Sequence, residues 1–467
     1  MTRTRYRKGA LLGLLAAGLV LGLAYASTRD EQPSRAGAPP TAAAPATPAP
    51  AAAPPGGEDA GTVDLARQEA DAFAQKVMEA LRIAGVRDAL NYDPERFLIW
   101  TPSADGGQGL TLFLTNVYDD YRAAPPGQRT RVLERIISVH QAPPSAPEAY
   151  AQARPALLPV IRPRSYFEML QVRGTADSPS AAWRPLGEVL AVSLVQDLPD
   201  SMRYIHPGDL ERWGVSFDEA YAHALANLRA RSREPLVSIG PGVCAAAWGD
   251  SYSPSRLLLD EVVKRCLVRG EPVVLAPGRD LLLITGAQDE QGLRQVAELA
   301  AEALEAPRPM DGRALRRTAS GWVPFLPARA SASWPALHRL ALRSEVRDYA
   351  DQTEQLNALH LEKGVELFAA SLLVAEDEDG RIRTHTLWVN GIQTLLPRAD
   401  SIIFMEEERG PEAPPVAVVP WEQVVRDVGH LLVREEGLYP ERYRLKGFPT
   451  PKHFERWKAE RTAREVP

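Results

Sequence analysis

Residues 272–285 read PVVLAPGRDLLLIT, a stretch typical of a β-hairpin. Two apolar runs flank the turn-prone pair Pro277-Gly278, so strands are predicted at 272–276 and 281–285. Residues 293–304 follow with apolar side chains at helical spacing. Because hairpins occur here beside crossovers, the order of elements favours an α+β fold over a doubly wound parallel sheet.

Helices are predicted on both sides of this hairpin. Ser216 and Glu219 have the spacing of a capping box, and one apolar face follows them. Ser253-Pro254 predicts the start of another helix, and Gly270 its end. Further helices are predicted at 65–81, 129–139, 337–361 and 421–433, and further strands at 97–100, 110–114, 188–195, 367–374, 381–389, 401–405 and 416–419.

Two proline-containing segments are predicted to be loops. The segment 141–163 is predicted to cross the surface, and 307–335 is predicted to mark a domain boundary. The domains predicted after the export segment and linker are an N-terminal α+β part at 61–163, a central α+β part at 164–327 and a C-terminal α+β domain at 328–467. The predicted fold is therefore α+β, with mixed, mainly antiparallel sheets and packed helices in two or three domains.

The N-terminus predicts export. Four cations in the first eight residues precede an uncharged run at 9–26, which is rich in Leu, Ala and Gly and ends in Ala24-Tyr25-Ala26. This order is typical of a signal peptide, and the run is also near the length at which a helix spans a bilayer. A cleaved signal peptide and a membrane anchor at 1–26 both remain open, and either places the following residues outside the cytoplasm.

A spacer follows the export segment. Residues 36–57 are Ala, Pro or Gly at every position except Thr41 and Thr47. This composition offers little to a packed core, so 27–60 is predicted to be a disordered, extended linker. A spacer is most useful to a tethered protein, which favours the anchor. We expect an extracytoplasmic protein of the periplasm or cell envelope, either anchored through its N-terminal segment or secreted.

Composition and charge exclude several classes of protein. The 467 residues are 45% hydrophobic and 24% charged, near the averages of globular chains, and the net charge of −6 argues against a nucleic acid partner. The histidines are scattered and the cysteines too few for a multi-cysteine centre, so no metal and no cofactor are predicted. Cys244 and Cys266 could form one disulfide, but their apolar surroundings favour two buried thiols.

Four short motifs follow one another along the chain. They are LPVIR at 158–162, ALANL at 224–228, DSYSPSRLL at 250–258 and VLAPGRDLLLI at 274–284. In order and spacing they resemble the YtpQ-like family of bacterial proteins, the domain of unknown function 1444, over residues of about 65–327. The family has no established activity, so the resemblance implies a fold neighbourhood and no mechanism. The simpler members of the family lack the export segment, the spacer and the additional C-terminal residues.

The second and third motifs supply the candidate site residues. Asp250 and Ser255 can stabilise a helix N-terminus, and Arg256 can pair with a carboxylate. The same helix N-terminus could instead bind an anion or another ligand. Asn227 lies in an apolar helix face, where a buried amide must be hydrogen-bonded. Asn227, Asp250, Tyr252, Ser255 and Arg256 therefore form a structural motif or a ligand site, and the structural interpretation is favoured.

Two classes of function are consistent with these patterns. The spacer and the multidomain build favour a non-enzymatic binding or scaffold module, with an unknown protein partner or small ligand. The alternative is a serine hydrolase of the esterase type, with Ser251 as nucleophile, His430 as general base and Asp427 orienting the imidazole. This alternative requires two sequence blocks from different predicted domains to meet.

Overall fold

The computed structural model describes residues 60–86, 89–94, 97–101, 111–141, 146–173, 180–198, 201–246, 248–306, 309–376, 381–407 and 413–465. The predicted export segment at 1–26 and the linker, apart from Ala60, lie outside these ranges, and so does Leu110, the first residue of the strand predicted at 110–114. Within the described ranges, no helix has both the length and the hydropathy that a membrane crossing requires.

The fold is α+β, as predicted, and most neighbouring strands are antiparallel. The N-terminal part packs helices on a three-stranded antiparallel sheet of order β1-β2-β3. Its elements are α1 (Ala60–Ile83), β1 (Asn91–Asp93), β2 (Leu98–Trp100), β3 (Thr111–Phe113), α2 (Thr115–Ala123) and α3 (Arg129–Gln141). β2 and β3 lie within the strands predicted at 97–100 and 110–114 and pair antiparallel. Phe73, Leu81 and Ile99 lie in the core of this part.

A second sheet begins the central part, with order β4-β6-β5 and β7 added beside β6. Its elements are α4 (Tyr150–Ala153), β4 (Leu157–Pro163), α5 (Arg164–Arg173), β5 (Trp183–Leu186), β6 (Leu190–Asp197), β7 (Met202–Tyr204), α6 (Pro207–Trp213) and α7 (Phe217–Ala230). Helix α7 begins as predicted, because Ser216 Oγ accepts a hydrogen bond from the Glu219 N–H at 3.1 Å.

Strand β4 corrects the prediction of a surface loop at 141–163. Its residues are almost entirely buried, and it pairs with β6 along its whole length. The prolines are tolerated because β4 is an edge strand. The Arg164 N–H donates to Val189 O at 2.9 Å, so the alternation of the backbone turns the nitrogens of Pro159 and Pro163 away from β6.

The third sheet has six antiparallel strands in the order β13-β12-β10-β11-β9-β8. Its elements are β8 (Val237–Gly240), β9 (Val243–Ala246), α8 (Asp260–Val263), β10 (Pro272–Gly278), β11 (Leu281–Gly286), α9 (Glu290–Ala303), β12 (Pro309–Thr318) and β13 (Gly321–Pro324). The predicted hairpin is confirmed by the pairing of β10 with β11. The loop predicted at 307–335 is wrong for about half of the segment, which β12 and β13 occupy.

The helix predicted between Ser253 and Gly270 is interrupted. A 3-10 helix (Pro254–Leu258) and the short α8 replace it, with an extended residue, Leu259, between them. Ser253 does not cap a first turn, because its Oγ accepts a hydrogen bond from the Trp248 N–H at 3.3 Å.

Cys244 and Cys266 form a disulfide, so the prediction of two buried thiols is wrong. Cys244 lies on β9, and Cys266 follows α8 in the interrupted helical segment. Their Cα atoms are 6.0 Å apart, a separation that permits the bond. The sequence predicts one continuous helix here. Because the helix is interrupted at Leu259, Cys266 lies at a different position from the one a continuous helix would give it.

The C-terminal part contains two four-stranded sheets, of orders β14-β17-β21-β20 and β15-β16-β18-β19. Its elements are α10 (Trp334–Glu362), β14 (Phe368–Ala369), β15 (Leu373–Glu376), β16 (Ile382–Asn390), β17 (Thr394–Pro397), β18 (Ser401–Glu406), β19 (Ala417–Pro420), α11 (Trp421–Val428), β20 (Leu432–Arg434), β21 (Arg442–Leu445) and α12 (Pro451–Glu465). The strand predicted at 367–374 is divided between two sheets, and the helix predicted at 421–433 ends at Val428. Helix α10 contacts both β12 and β14, so it joins the central and C-terminal parts.

Candidate functional site

The four motifs that resemble the YtpQ-like family meet around strand β4. Asn227 Nδ2, on α7, donates to Arg154 O at 2.8 Å and to Leu157 O at 2.9 Å, which fixes the start of β4. Tyr252 packs in the cluster that contains Leu158 and Val160. The last motif joins the third, because Asp280 Oδ1 accepts a hydrogen bond from the Ser251 N–H at 2.6 Å.

Arg256 and Asp250 form an ion pair that is buried on the arginine side and partly exposed on the aspartate side. The Arg256 side chain is completely buried, and its Nη1 and Nη2 donate to the two Asp250 carboxylate oxygens at 2.9 and 2.7 Å. Its Nε donates to Ser232 Oγ at 3.0 Å, and its guanidinium lies 4.0 Å from the Trp248 ring centroid. Burial tends to raise the pKa of Asp250, but Arg256 outweighs it and holds this pKa below its ordinary value.

The remaining candidate residues complete the same packing. The Tyr252 hydroxyl donates to Asp197 Oδ1 at 2.8 Å, while Arg231 Nη1 donates to Asp197 Oδ2 at 2.6 Å. Ser255 is buried in the 3-10 helix, where its N–H donates to Tyr252 O at 3.0 Å. The structure thus brings Asp250, Tyr252, Ser255 and Arg256 together, and their contacts are those of a structural motif.

The hydrolase residues are not brought together. Asp427 accepts hydrogen bonds from Trp457 Nε1 at 2.7 Å and from Arg426, and it pairs with Arg456 at 2.8 Å. His430 is exposed in the 3-10 helix after α11. Ser251 has a left-handed backbone (φ 62°), and its N–H contacts Asp280. Among the described residues, no hydrogen bond joins Ser251, Asp427 and His430.

One arginine of the first motif differs from Arg256. Arg162 lies on β4 and is 3% exposed, but its Nε has no hydrogen-bond partner among the described residues. Its Nη1 donates to Ile161 O at 2.8 Å, and its Nη2 contacts Met202 Sδ at 3.7 Å. No carboxylate of the described chain forms an ion pair with it. A buried guanidinium with this few hydrogen bonds is costly, so Arg162 is a candidate functional residue.

A cleft of about 590 Å³ lies beside helix α10. Its charged and phenolic lining comes from distant parts of the sequence, and we call it the α10 cleft: Arg164, Glu188, Arg313, Glu345, Tyr349, Arg398, Arg434, Tyr439 and Glu441. A smaller cavity of about 260 Å³ shares Glu345 and Arg398 with it. Val189, Ala341 and Leu438 add apolar walls to the α10 cleft. A concave site of this size, in which polar groups converge between apolar walls, is typical of small-ligand binding.

Side chains around the α10 cleft differ in how firmly they are held. Arg313 is fixed by Asp311 and Asp348, with Nη2 at 2.5 Å from a carboxylate oxygen of each. The Arg164 guanidinium lies 4.4 Å from the Tyr439 ring centroid. Arg398 and Arg434 are more loosely paired, at 3.8 and 3.6 Å from Glu441 oxygens. Arg398 Nη2 also donates to Glu422 Oε1 at 3.3 Å, in a pair whose two side chains are more than half exposed.

Glu345 is the most unusual carboxyl group of this cleft. It lines both cavities and has no hydrogen bond or ion pair with any described residue. Its side chain is open to solvent, yet surrounding protein atoms partly desolvate the carboxyl group and raise its pKa. Arg313 and Arg398 oppose this increase without abolishing it. The group is therefore positioned to interact with a donor or cation that enters the cleft.

Neither Arg162 nor the α10 cleft is predicted as a site from the sequence. Arg162 carries one local signal, since it is a charged residue that follows the apolar run of β4. Glu345 and Arg398 carry no local signal, because long-range packing assembles the cleft. Comparison of the chain with protein-family models, curated proteins and solved structures found no match.

Proposed function

We propose that the protein is an extracytoplasmic binding or scaffold module, related to the YtpQ-like family over residues of about 65–327. The N-terminal segment at 1–26 would tether it to the membrane or direct its export. Its ligand would be a polar molecule that binds in the α10 cleft. The observation that carries the proposal is the exposed carboxylate of Glu345, which forms no hydrogen bond or ion pair with any described residue. It lines a cleft that also contains loosely paired arginines.

The disulfide supports the proposed location. Disulfides persist mainly in oxidising compartments such as the periplasm and the extracellular space. The Cys244–Cys266 bond is therefore consistent with the export that the first 26 residues predict. Fractionation of cells and N-terminal sequencing of the protein would distinguish an anchor from a cleaved signal.

The charges of the cleft favour a zwitterionic ligand. Glu345 offers a carboxylate that an ammonium group can approach. The guanidinium groups of Arg398 and Arg434 are more than half exposed, and their contacts to Glu441 are long. Such loose pairs contribute little stability, so a ligand carboxylate can replace them at small cost. A short peptide or amino acid, with both groups on one small body, fits this pattern.

The proposal can be tested by calorimetric titration of the full-length chain in detergent with the dipeptide Ala-Ala. We expect binding that weakens about tenfold in Glu345→Gln and in Arg398→Met, since each change removes one charged contact. N-acetyl-Ala-Ala, which lacks the ammonium group, should bind the wild type more weakly than Ala-Ala does. Glu345→Gln should bind the two dipeptides with equal affinity. Glu302→Gln, on an exposed position of α9, is the matched control and should bind as the wild type does.

Two results would contradict the proposal. One is equal binding of Ala-Ala by the wild type, Glu345→Gln and Arg398→Met, which would place the ligand elsewhere. The other is no measurable binding of Ala-Ala by the correctly folded wild type, which would remove a small zwitterion as the ligand of this cleft.

A further inference from the structure

Arg162 is the starting point of a second site, made of side chains that do not line the α10 cleft. A guanidinium group carries five N–H donors. In Arg162, one N–H donates to the carbonyl of the preceding residue, and Nη2 contacts only a thioether sulfur at 3.7 Å. Thioether sulfur is a weak hydrogen-bond acceptor. The Nε of Arg162 has no acceptor among the described residues. The edge formed by Nε and Nη2 is therefore the unsatisfied edge of this group.

This edge is the one that other arginines of the chain use for carboxylates. Arg444 donates through Nε and Nη2 to the two oxygens of Glu435 at 2.8 and 2.7 Å. Arg317 uses the same two atoms for Asp260, at 3.0 Å each. A planar oxyanion with two oxygens fits such an edge by two parallel hydrogen bonds. Arg162 thus presents the geometry of an oxyanion site.

Two tyrosines lie near Arg162. Arg162 contacts Met202, and Tyr204 stands two residues further along β7, so its side chain lies on the same face of that strand. Tyr166 follows Arg162 on α5, and its ring centroid lies 6.4 Å from that of Tyr204. Burial raises the pKa of the Tyr166 hydroxyl, and the neighbouring Tyr204 raises this pKa further. Arg162 and Arg279 lower it, so both guanidinium groups lie within electrostatic reach of the Tyr166 hydroxyl. The protonated hydroxyl of Tyr166 is a hydrogen-bond donor at neutral pH.

The carboxylate of Asp197, which belongs to the packing around Tyr252, does not form an ion pair with Arg162 among the described contacts. Asp197 accepts its two hydrogen bonds from Tyr252 and Arg231, at 2.8 and 2.6 Å. The charge of Arg162 therefore has no ion-pair partner among the described residues. Tyr166 lies on the solvent side of Arg162, since it is 41% exposed and Arg162 is 3% exposed.

We infer that Arg162 binds a small oxyanion, a carboxylate or phosphate group, through Nε and Nη2, and that Tyr166 completes the site at its solvent side. Buried positive charge without a protein partner is costly to the fold. A ligand oxyanion would supply both the hydrogen bonds and the opposite charge. This inference goes beyond the proposed function, because it concerns another ligand group and other residues.

The inference is tested by thermal unfolding of the full-length chain in sodium phosphate or sodium acetate, against sodium chloride at equal ionic strength. Equal ionic strength removes general screening from the comparison. The wild type should unfold at a higher temperature in at least one oxyanion, and Arg162→Met should lose this shift. Stabilisation by phosphate alone would identify a dianion as the ligand group, and stabilisation by acetate alone a carboxylate.

Two further variants keep the test decisive. Tyr166→Phe removes only a hydroxyl from a partly exposed ring, so it should fold and lower the apparent anion affinity about threefold or more. Arg317→Met is the control, because the Nε and Nη2 of Arg317 are already paired with Asp260 and the side chain lines neither site, so this variant should keep the full shift. The inference is overturned if neither oxyanion stabilises the wild type. It is also overturned if Arg162→Met or Tyr166→Phe responds as the wild type does.

Discussion

Arg442 in the C-terminal part and Arg162 in the central part are both buried arginines without a carboxylate partner among the described residues, but their surroundings differ. Arg442 donates from Nε to Gln352 Oε1 at 2.5 Å, and from Nη1 to Ala370 O and Leu395 O at 2.7 and 3.1 Å. Its Nη2 donates to Thr353 Oγ1 at 2.6 Å and contacts Tyr349 O at 3.3 Å. Arg162 has one good hydrogen bond.

The difference separates an arginine that holds the fold from one that we infer holds a ligand. Around Arg442, carbonyls of β17 and of the loop after β14 converge with side chains of α10, so the guanidinium links three elements. Burial lowers the pKa of Arg442 to about 10, which leaves it charged at neutral pH. Around Arg162, the fold leaves donors unsatisfied, as functional sites commonly do.

Loss of the Arg442 network is the largest expected effect. We expect Arg442→Met to lower the free energy of unfolding by about 3–5 kcal/mol, because Gln352 and two buried carbonyls lose their donor. Urea denaturation measures this change. Arg444→Met on the same strand is the control, and its partly exposed pair with Glu435 should be worth about 1 kcal/mol or less. Equal losses in the two variants would contradict a special role for Arg442.

The next effect is the free energy of unfolding that the disulfide contributes to the central part. Cys244 and Cys266 are separated by 22 residues. Closure of a loop of this length is worth about 3 kcal/mol by the chain-entropy model. We expect Cys244→Ser combined with Cys266→Ser to lose about this amount in urea denaturation, and reduction of the wild type to reproduce the loss. A double variant as stable as the oxidised wild type would contradict this expectation.

A smaller effect is expected from Asp427, near the C-terminus. Hydrogen bonds from Arg426 and Trp457, with the charge of Arg456, lower its pKa to about 2. A carboxyl group with a lowered pKa stabilises the fold above its unfolded pKa, near 4, and loses this contribution as the pH falls towards 2. After allowance for solvent screening, we expect Asp427→Asn to cost about 1 kcal/mol at pH 7 and nothing at pH 2. A cost independent of pH would contradict the ionic origin.

The same contrast shows what could be predicted from the sequence. The β10–β11 hairpin, the cap at Ser216 and helix α10 follow from local periodicity and turn residues, so the α+β class was predictable. Strand β4 was not, because its prolines mimic a loop and only its position at a sheet edge explains them. The pairing of Cys244 with Cys266 depends on a break at Leu259 that no local pattern predicts.

The functional features were harder to predict for the same reason. Asp250 and Arg256 were identified, because their spacing within one motif already permits a pair. The missing hydrogen bonds of Arg162 are visible only when every neighbour is in place. Glu345 and Arg398 are 53 residues apart in the sequence, and they meet only after the C-terminal sheets pack on α10.

The most direct test of the central claim is the free energy of unfolding of Arg162→Met against the wild type, in buffer without phosphate or carboxylate. The Met side chain fills most of the volume of the Arg162 side chain. The substitution also removes a buried charge that has few hydrogen bonds. The account predicts a change within about 1 kcal/mol, or a gain in stability, because little hydrogen bonding is lost. A loss of about 3 kcal/mol or more, like that expected for Arg442→Met, would show that Arg162 holds the fold and would contradict the account.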